Sequence, residues 1–157
     1  MISPKLRILF IGTVDFSYSS LELLISNGFN ICGVITKKTS TYNSDHKDLK
    51  PICDKAKIPI YFDEKSNNTT KIDFIKSMNP DIIYCFGWSY LLPKSILEST
   101  RLGVVGFHPA ELPKNRGRHP IIWAIFLGLN STGSSFFIMD EGADTGDIIS
   151  QQKIMID

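Results

Sequence analysis

Two short segments contain the residues best suited to catalysis, and each follows an apolar run. His108 follows the run 104–107 (VVGF), and Asp140 follows the run 136–139 (FFIM). Both runs are predicted to be strands, and loops that leave the ends of neighbouring strands are where open α/β sheets place their active sites. An imidazole and a carboxylate can together move a proton and orient the group that moves it. The sequence therefore predicts acid–base chemistry at these two loops.

The loop after His108 is polar and locally basic in a chain whose net charge is only +1. A lone histidine more often serves the fold, and a short basic run usually forms a solvated surface. Together, however, His108 and the run 114–118 (KNRGR) are better interpreted as a catalytic residue beside a clamp for a phosphorylated substrate, because arginine binds two phosphate oxygens at once. The run is too short for an RNA-binding stripe, and the balanced charge favours neither nucleic acid nor membrane binding.

The second loop, 140–147 (DEGADTGD), contains four carboxylates and two glycines. The EF-hand spacing is absent, which disfavours calcium, and no metal is predicted. The glycines allow sharp turns and close approach to a ligand. One carboxylate is expected to reach His108 and fix its tautomer, but spacing alone leaves open which one.

Two further segments are candidates for ligand binding. The segment 10–13 (FIGT) resembles half of a phosphate loop, but the chain lacks the glycine patterns of dinucleotide and nucleoside-triphosphate sites. Trp88, Tyr90 and Leu92 follow an apolar run. They could belong to the core or form one wall of a slot for a flat heterocycle, and the sequence leaves both interpretations open.

Composition and length are those of one globular domain. The chain has 157 residues, of which 43% are apolar and 21% charged. Cys32, Cys53 and Cys85 have neither metal-ligand nor CxxC spacing and are interpreted as buried thiols of a reducing compartment. No stretch is long and apolar enough to span a bilayer, and no signal-peptide pattern precedes the first strand. A cytoplasmic location is expected.

Strand-like and helix-like segments alternate along the chain. Strands are predicted at 7–11, 31–36, 60–62, 81–86, 104–107, near 136 and at 148–156, and helices from Ser17, at 49–56, after 67–70, near 93–98 and at 121–127. Ser17 is expected to cap the first helix, and Gly28 suits the position after its end. This alternation predicts an α/β fold built from βαβ units around a mostly parallel sheet.

These motifs resemble those of the folate-dependent formyltransferases, which include methionyl-tRNA, glycinamide ribonucleotide and sugar N-formyltransferases. The resemblance covers 8–13, 86–93, 108–113 and 140–148, and so nearly the whole chain. It implies a Rossmann-like three-layer α/β/α sandwich with a mostly parallel central sheet. It also implies that 1–157 is the family's amino-terminal catalytic domain without the smaller carboxy-terminal domain, and that a homodimer could supply further binding surface.

The same resemblance implies one-carbon transfer from N10-formyltetrahydrofolate, used as a cosubstrate, to an amine. His108 would take the amine proton or stabilise the oxyanion, and Asp144 rather than Asp140 would orient His108. The family usually has an asparagine two positions before the histidine, where this chain has Gly106. Losing one oxyanion donor can slow a reaction by about 10²–10³-fold. Either another group, such as His119, a backbone N–H or a water, substitutes here, or the enzyme is slow.

The resemblance also implies contact residues for each ligand. The folate would contact Phe86, Gly87, Trp88, Tyr90, Leu91, Leu92, Ile138, Met139, Asp140, Gly142 and Ala143. The substrate would contact Gly12, Thr13, Pro109, Lys114, Asn115, Arg116, Gly117 and Arg118.

Segments 113–123 (PKNRGRHPIIW) and 36–49 are most similar to the branch of the family that acts on nucleotide-linked amino sugars. The implied substrate is a dTDP-linked amino-dideoxysugar. One alternative is an enzyme like methionyl-tRNA formyltransferase that acts on another amine, although a tRNA enzyme should have an extended basic face. Another alternative is a folate- or nucleotide-binding remnant with little turnover, which Gly106 and the short length suggest.

Overall fold

The computed structural model describes residues 6–64 and 67–156 of the chain. The chain forms two compact units, which divide between residues 104 and 105. The first contains the predicted βαβ repeats, and the second contains both loops on which acid–base chemistry is predicted.

The first unit contains a parallel sheet in the order β3-β2-β1-β4. Its strands are β1 (Ile8–Ile11), β2 (Ile31–Thr36), β3 (Ile60–Phe62) and β4 (Ile82–Cys85). Its helices are α1 (Asp15–Ser26), α2 (Lys50–Ala56), α3 (Asn68–Met78) and α4 (Lys94–Leu97). Every residue of β1 and β2 is buried. Continuous apolar runs of this kind are typical of parallel strands that are covered on both faces.

The second unit contains three antiparallel strands and one helix. The strands are β5 (Val104–His108), β6 (Ser131–Ile138) and β7 (Ile148–Met155), and the helix is α5 (Pro120–Phe126). In the β5–β6 pair, His108 lies opposite Ser135, and β6 pairs with β7 along almost its whole length. β5 therefore ends at the candidate catalytic histidine, as the sequence predicted.

Two local predictions differ from the structure. Ser17 was expected to cap α1, but it lies inside the first turn, where its hydroxyl oxygen accepts from the Thr13 and Val14 N–H groups and its O–H donates to the Phe86 carbonyl at 2.6 Å. Its side chain thus holds the turn after β1. β6 begins at Ser131, earlier than predicted, because pairing with β7 extends the strand through a polar stretch that lacks an apolar pattern. Gly28 follows the end of α1 with a φ of +75°, as predicted.

The three cysteines are buried and free. Burial raises the pKa of Cys53 and Cys85 to about 12, because an apolar environment disfavours the thiolate. This agrees with their interpretation as structural thiols. Within residues 6–64 and 67–156, no helix has both the length and the apolar character needed to cross a bilayer.

Candidate active site

His108, the last residue of β5, lies with both ring nitrogens facing oxygen atoms. Its Nε2 lies 2.7 Å from the carbonyl oxygen of Asn115, and its Nδ1 lies 3.4 Å from Oδ2 of Asp144. The His108 side chain is almost completely buried, whereas that of Asp144 keeps 22% of its surface exposed. The pair is therefore sheltered but open to solvent on the aspartate side.

One backbone group and one side chain of the basic run position Asp144. The Gly117 N–H donates to Asp144 Oδ2 at 2.9 Å, and the Arg116 Nε–H donates to the Asp144 carbonyl at 3.0 Å. Gly117 has a φ of +88°, Asn115 of +54° and Asp144 of +56°. Glycine, asparagine and aspartate are the residues that tolerate this left-handed region best. The residue types at these three positions thus allow the two loops to hydrogen-bond to each other beside the His108–Asp144 pair.

The hydrogen bonds of His108 decide which ring nitrogen can exchange a proton. A backbone carbonyl only accepts hydrogen bonds, so Nε2 carries a hydrogen and donates it to Asn115. In the neutral ring the lone pair is then on Nδ1, which faces Asp144. In the imidazolium form an Nδ1–H would point toward the carboxylate and be stabilised by its charge. Nδ1 is therefore the position at which this pair can take up and release a proton.

The other carboxylates of the acidic loop have different surroundings. Oδ1 of Asp140 accepts from the Gly142 N–H at 3.0 Å and from the Thr145 hydroxyl, so this side chain shapes the turn. Glu141 and Asp147 are exposed. Asp144 is thus the carboxylate of this loop that lies against His108. In the part of the chain that the structure describes, no group of three or more metal-ligating side chains comes together.

A polar network that the sequence reasoning missed holds the root of the His108 loop. Ser135 Oγ donates to the Ala110 carbonyl at 2.7 Å, and Gln151 Nε2 donates to the Leu112 carbonyl at 2.9 Å and to Ser135 Oγ at 2.8 Å. Ser135 is fully buried. The available signal was a serine directly before the apolar run 136–139, because a strand that buries such a residue must give it a partner.

The surroundings of Gly106 leave little space for the asparagine that is usual in the family. A Cβ atom at this position would lie 2.8 Å from Met139 Cγ and 2.9 Å from Phe137 Cζ. Both distances are shorter than ordinary carbon–carbon contacts. These two side chains occupy the volume that a larger residue at position 106 would need. Glycine is therefore the residue that fits beside them without a shift.

The residues predicted to contact folate divide into buried and exposed groups. Phe86 and Leu92 are buried, whereas Trp88 is half-buried and Tyr90 and Leu91 are 41% and 67% exposed. Leu92 therefore belongs to the core, whereas a part for Trp88 and Tyr90 in a slot for a flat heterocycle stays a prediction. In the second unit, Ile138 and Met139 are partly exposed, and Asp140, Gly142 and Ala143 are exposed.

The residues predicted to contact substrate also differ in their surroundings. Gly12 and Thr13 are buried, and their N–H groups donate to the Ile35 carbonyl and to Ser17 Oγ. Pro109 is half-buried, Arg118 is exposed, and Lys114 forms a surface ion pair with Glu111 at 3.8 Å. The structure brings Asn115, Arg116 and Gly117 to the His108–Asp144 pair. Their contacts support the pair itself, a role that the sequence reasoning did not foresee.

A histidine–aspartate pair at the end of a strand places this chain among α/β proteins whose sites are equipped for proton transfer. Comparison with known families makes this more specific. Residues 6–157 match the family model described as formyl transferase. The chain belongs to this formyltransferase family.

Curated relatives of the chain are methionyl-tRNA formyltransferases. The protein of Clostridioides difficile is 36% identical over 156 residues, which are 97% of this chain and 50% of that relative. The protein of Thermodesulfovibrio yellowstonii is 37% identical over 153 residues, again 50% of its length. The chain therefore spans about half the length of the curated relatives it matches.

Solved structures with similar folds belong to other branches. Phosphoribosylglycinamide formyltransferase from Bacillus halodurans has a TM-score of 0.82 at 22% identity. The match covers 96% of this chain and 80% of that protein's chain. The sugar 3N-formyl transferase WlaRD has a TM-score of 0.69 at 20% identity, with coverages of 97% and 53%. At these identities the similarity concerns the fold alone. It confirms the Rossmann-like α/β fold predicted from the sequence.

Proposed function

We propose that this chain transfers a formyl group from N10-formyltetrahydrofolate to a primary amine. The observation that carries the proposal is the His108–Asp144 pair, with Nδ1 and Oδ2 at 3.4 Å, in a member of the formyltransferase family. The folate would supply the activated formyl group. The chain's own residues would manage the protons and hold the reactants.

Formyl transfer requires the amine to give up a proton and the leaving nitrogen to receive one. His108 Nδ1 would accept the first proton, and the Asp144 carboxylate would stabilise the imidazolium that forms. The Gly117 N–H holds Asp144 in place for this role, and the Asn115 carbonyl holds the ring. Asp144 would then help return the proton, by way of water, to the leaving nitrogen.

The predicted folate residues have properties that suit a flat heterocycle. Trp88 and Tyr90 have ring centroids 5.7 Å apart, and both rings are at least partly accessible. Aromatic surface of this kind favours a planar, largely apolar ligand. Segment 138–143, whose residues are exposed or partly exposed, would contact the same cosubstrate. Both assignments are part of the proposal.

For the acceptor we propose a nucleotide-linked amino sugar, with dTDP as its nucleotide. The likeness of segments 113–123 and 36–49 to that branch supports this choice, as does a net charge of only +1. Pro109, Lys114 and Arg118 are the proposed contacts. A second candidate acceptor is methionyl-tRNA, which is favoured by the 33–37% identity to curated methionyl-tRNA formyltransferases.

A transfer assay with the two acceptor classes tests these proposals. The chain would be incubated with N10-formyltetrahydrofolate and either a panel of dTDP-amino sugars or charged initiator tRNA. We expect formylation of the sugar, and a loss of at least about 10²-fold in His108→Ala. If only the tRNA is formylated, the amino sugar is wrong as the acceptor and methionyl-tRNA takes its place. Folate binding with equal inactivity of wild type and His108→Ala would instead indicate a binding remnant.

The proposal treats residues 1–157 as the catalytic domain of the family. A homodimer remains a proposed source of additional binding surface. Sedimentation of the chain with and without dTDP would detect it, and a monomer under both conditions would remove this part of the proposal.

A further inference from the structure

Segment 37–47, which follows β2, is attached to the turn after β1. Its His46 Nδ1 lies 2.9 Å from Thr13 Oγ1, and its Lys47 N–H donates to the Thr13 carbonyl at 2.9 Å. Thr13 belongs to the turn that is proposed to contact the acceptor. The attachment therefore joins this segment to a proposed part of the site.

The hydrogen bond of His46 Nε2 determines whether Nδ1 donates or accepts. His46 Nε2 lies 3.0 Å from the carbonyl oxygen of Lys38, which only accepts hydrogen bonds. In the neutral ring Nε2 thus carries the hydrogen, and Nδ1 accepts the hydroxyl hydrogen of Thr13. His46 thereby ties the start of its own segment to the turn after β1.

Thr13 is fully buried and is held on three sides. Its N–H donates to Ser17 Oγ at 3.0 Å, its carbonyl accepts from Lys47, and its hydroxyl donates to His46. A buried hydroxyl with its proton committed in this way is not itself a contact for an incoming ligand. Its effect on a ligand would come through the position of the Gly12–Thr13 turn.

The same segment also reaches segment 86–92, which contains the residues of the first unit that are proposed to contact folate. Ser89 Oγ donates to Asn43 Oδ1 at 2.9 Å, and the rings of Tyr42 and Tyr90 have centroids 6.1 Å apart. Segment 37–47 thus contacts both proposed ligand-binding segments of the first unit. These contacts distinguish the segment from a surface loop that is attached only at its two ends.

We propose that segment 37–47 is a strap that fixes the turn at Gly12 and Thr13, and that His46 is a positioning residue for acceptor binding. This inference rests on the proposed formyl transfer. Removing the Thr13–His46 contact should loosen the strap and raise the KM for the acceptor about five- to tenfold, the size expected for one hydrogen bond of a buried group. The KM for folate should change less than twofold.

Matched variants isolate this single contact. Thr13→Val and His46→Gln each remove it, and the double variant should be no worse than either alone if both act through the same bond. His46→Asn places an amide oxygen where Nδ1 was and should restore most of the acceptor KM. Ser44→Ala, in the exposed part of the same segment, is the control.

Tryptic cleavage of the folded chain after Lys37, Lys38 or Lys47 supplies a readout that does not depend on activity. Thr13→Val and His46→Gln should be cut several-fold faster there than wild type and Ser44→Ala. Three results would each contradict the proposed strap. The first is unchanged cleavage, the second is fully additive effects in the double variant, and the third is equal KM values for His46→Gln and His46→Asn. If wild type fails to formylate either acceptor while the cleavage pattern holds, the proposed function fails and the strap stands.

Discussion

Among the described residues, Lys71 pairs with Asp63 in the first unit and His108 pairs with Asp144 in the second, and the two pairs are built differently. In the first unit, Lys71 Nζ lies 2.6 Å from Asp63 Oδ2, and the two side chains are only 5% and 2% exposed. The Lys71 ammonium also lies 5.9 Å from the centre of the Trp88 ring. Such a pair is closed to solvent and to exchange.

The pair in the second unit is longer and more open. His108 and Asp144 are separated by 3.4 Å, and the aspartate keeps contact with solvent. The Asn115 carbonyl holds His108 and the Gly117 N–H holds Asp144. The pair thus depends on backbone hydrogen bonds, whereas the pair in the first unit depends on a short contact between charges. We therefore expect the short, sealed ion pair to support the fold, and the looser pair that includes a histidine to release and accept a proton.

Asp144→Asn should give the largest effect of the changes that test this comparison. Asparagine keeps an oxygen for the Gly117 N–H but loses the charge that would stabilise the imidazolium. We expect single-turnover formyl transfer to fall by about 10²–10⁴-fold with little change in the free energy of unfolding. Asp147→Asn, which changes an exposed carboxylate of the same loop, is the control. Equal losses in both variants would contradict the distinction between the two carboxylates.

Lys71→Met should act on stability rather than on chemistry. Removing one partner leaves Asp63 buried and unpaired, which costs about 3–5 kcal/mol of unfolding free energy. Lys76→Met, on the exposed face of the same helix, should change it by less than about 0.5 kcal/mol. Urea unfolding would measure both. Adding Asp63→Asn to Lys71→Met should recover part of the loss, and no recovery would argue against an uncompensated charge as the cause.

Gly106→Asn tests whether the usual residue of the family can return. Because a Cβ atom there lies within 3 Å of Met139 and Phe137, we expect a loss of about 1–3 kcal/mol in the free energy of unfolding. Combining the change with Met139→Ala should relieve part of this cost by opening space. A fully stable single variant with faster turnover would show that the site accepts the asparagine as it stands.

The smallest effect concerns the thiols of the first unit. Burial raises the pKa of Cys85 to about 12, so the thiolate fraction at neutral pH is very small and iodoacetamide should react only after unfolding. In an unfolded chain the pKa of this thiol is near 9.0. Its contribution to stability is therefore complete below about pH 9 and is lost as the pH rises toward 12. Rapid alkylation of the folded chain at pH 7 would contradict this.

The parallel part of the fold was predictable because its strands are continuous apolar runs separated by helices. The helix predicted after residues 67–70 begins at Asn68, and Asn67 caps it with its side chain accepting from the Thr69 and Thr70 N–H groups. The start of β6 was not predictable, because residues 131–135 (STGSS) show no apolar alternation and become a strand through pairing with β7. Pairing partners distant in sequence leave no local pattern.

The candidate site was predictable only where side-chain type carries the information. His108 and the acidic loop have an unusual composition for strand ends, and this pointed to them. The supporting groups are backbone atoms of residues 115 and 117, whose amides and carbonyls look the same in every residue. The buried Lys71 was missed for a related reason, because a lysine on a polar helix ordinarily faces solvent.

The left-handed backbone at Asn115 limits what evolution or mutagenesis can place there. This residue serves His108 through its carbonyl oxygen, so its side chain is free to vary only as far as a φ of +54° allows. A randomised codon under selection for activity should return glycine, asparagine and aspartate, and should exclude valine, isoleucine and threonine, whose branched side chains resist this conformation by roughly 1–2 kcal/mol.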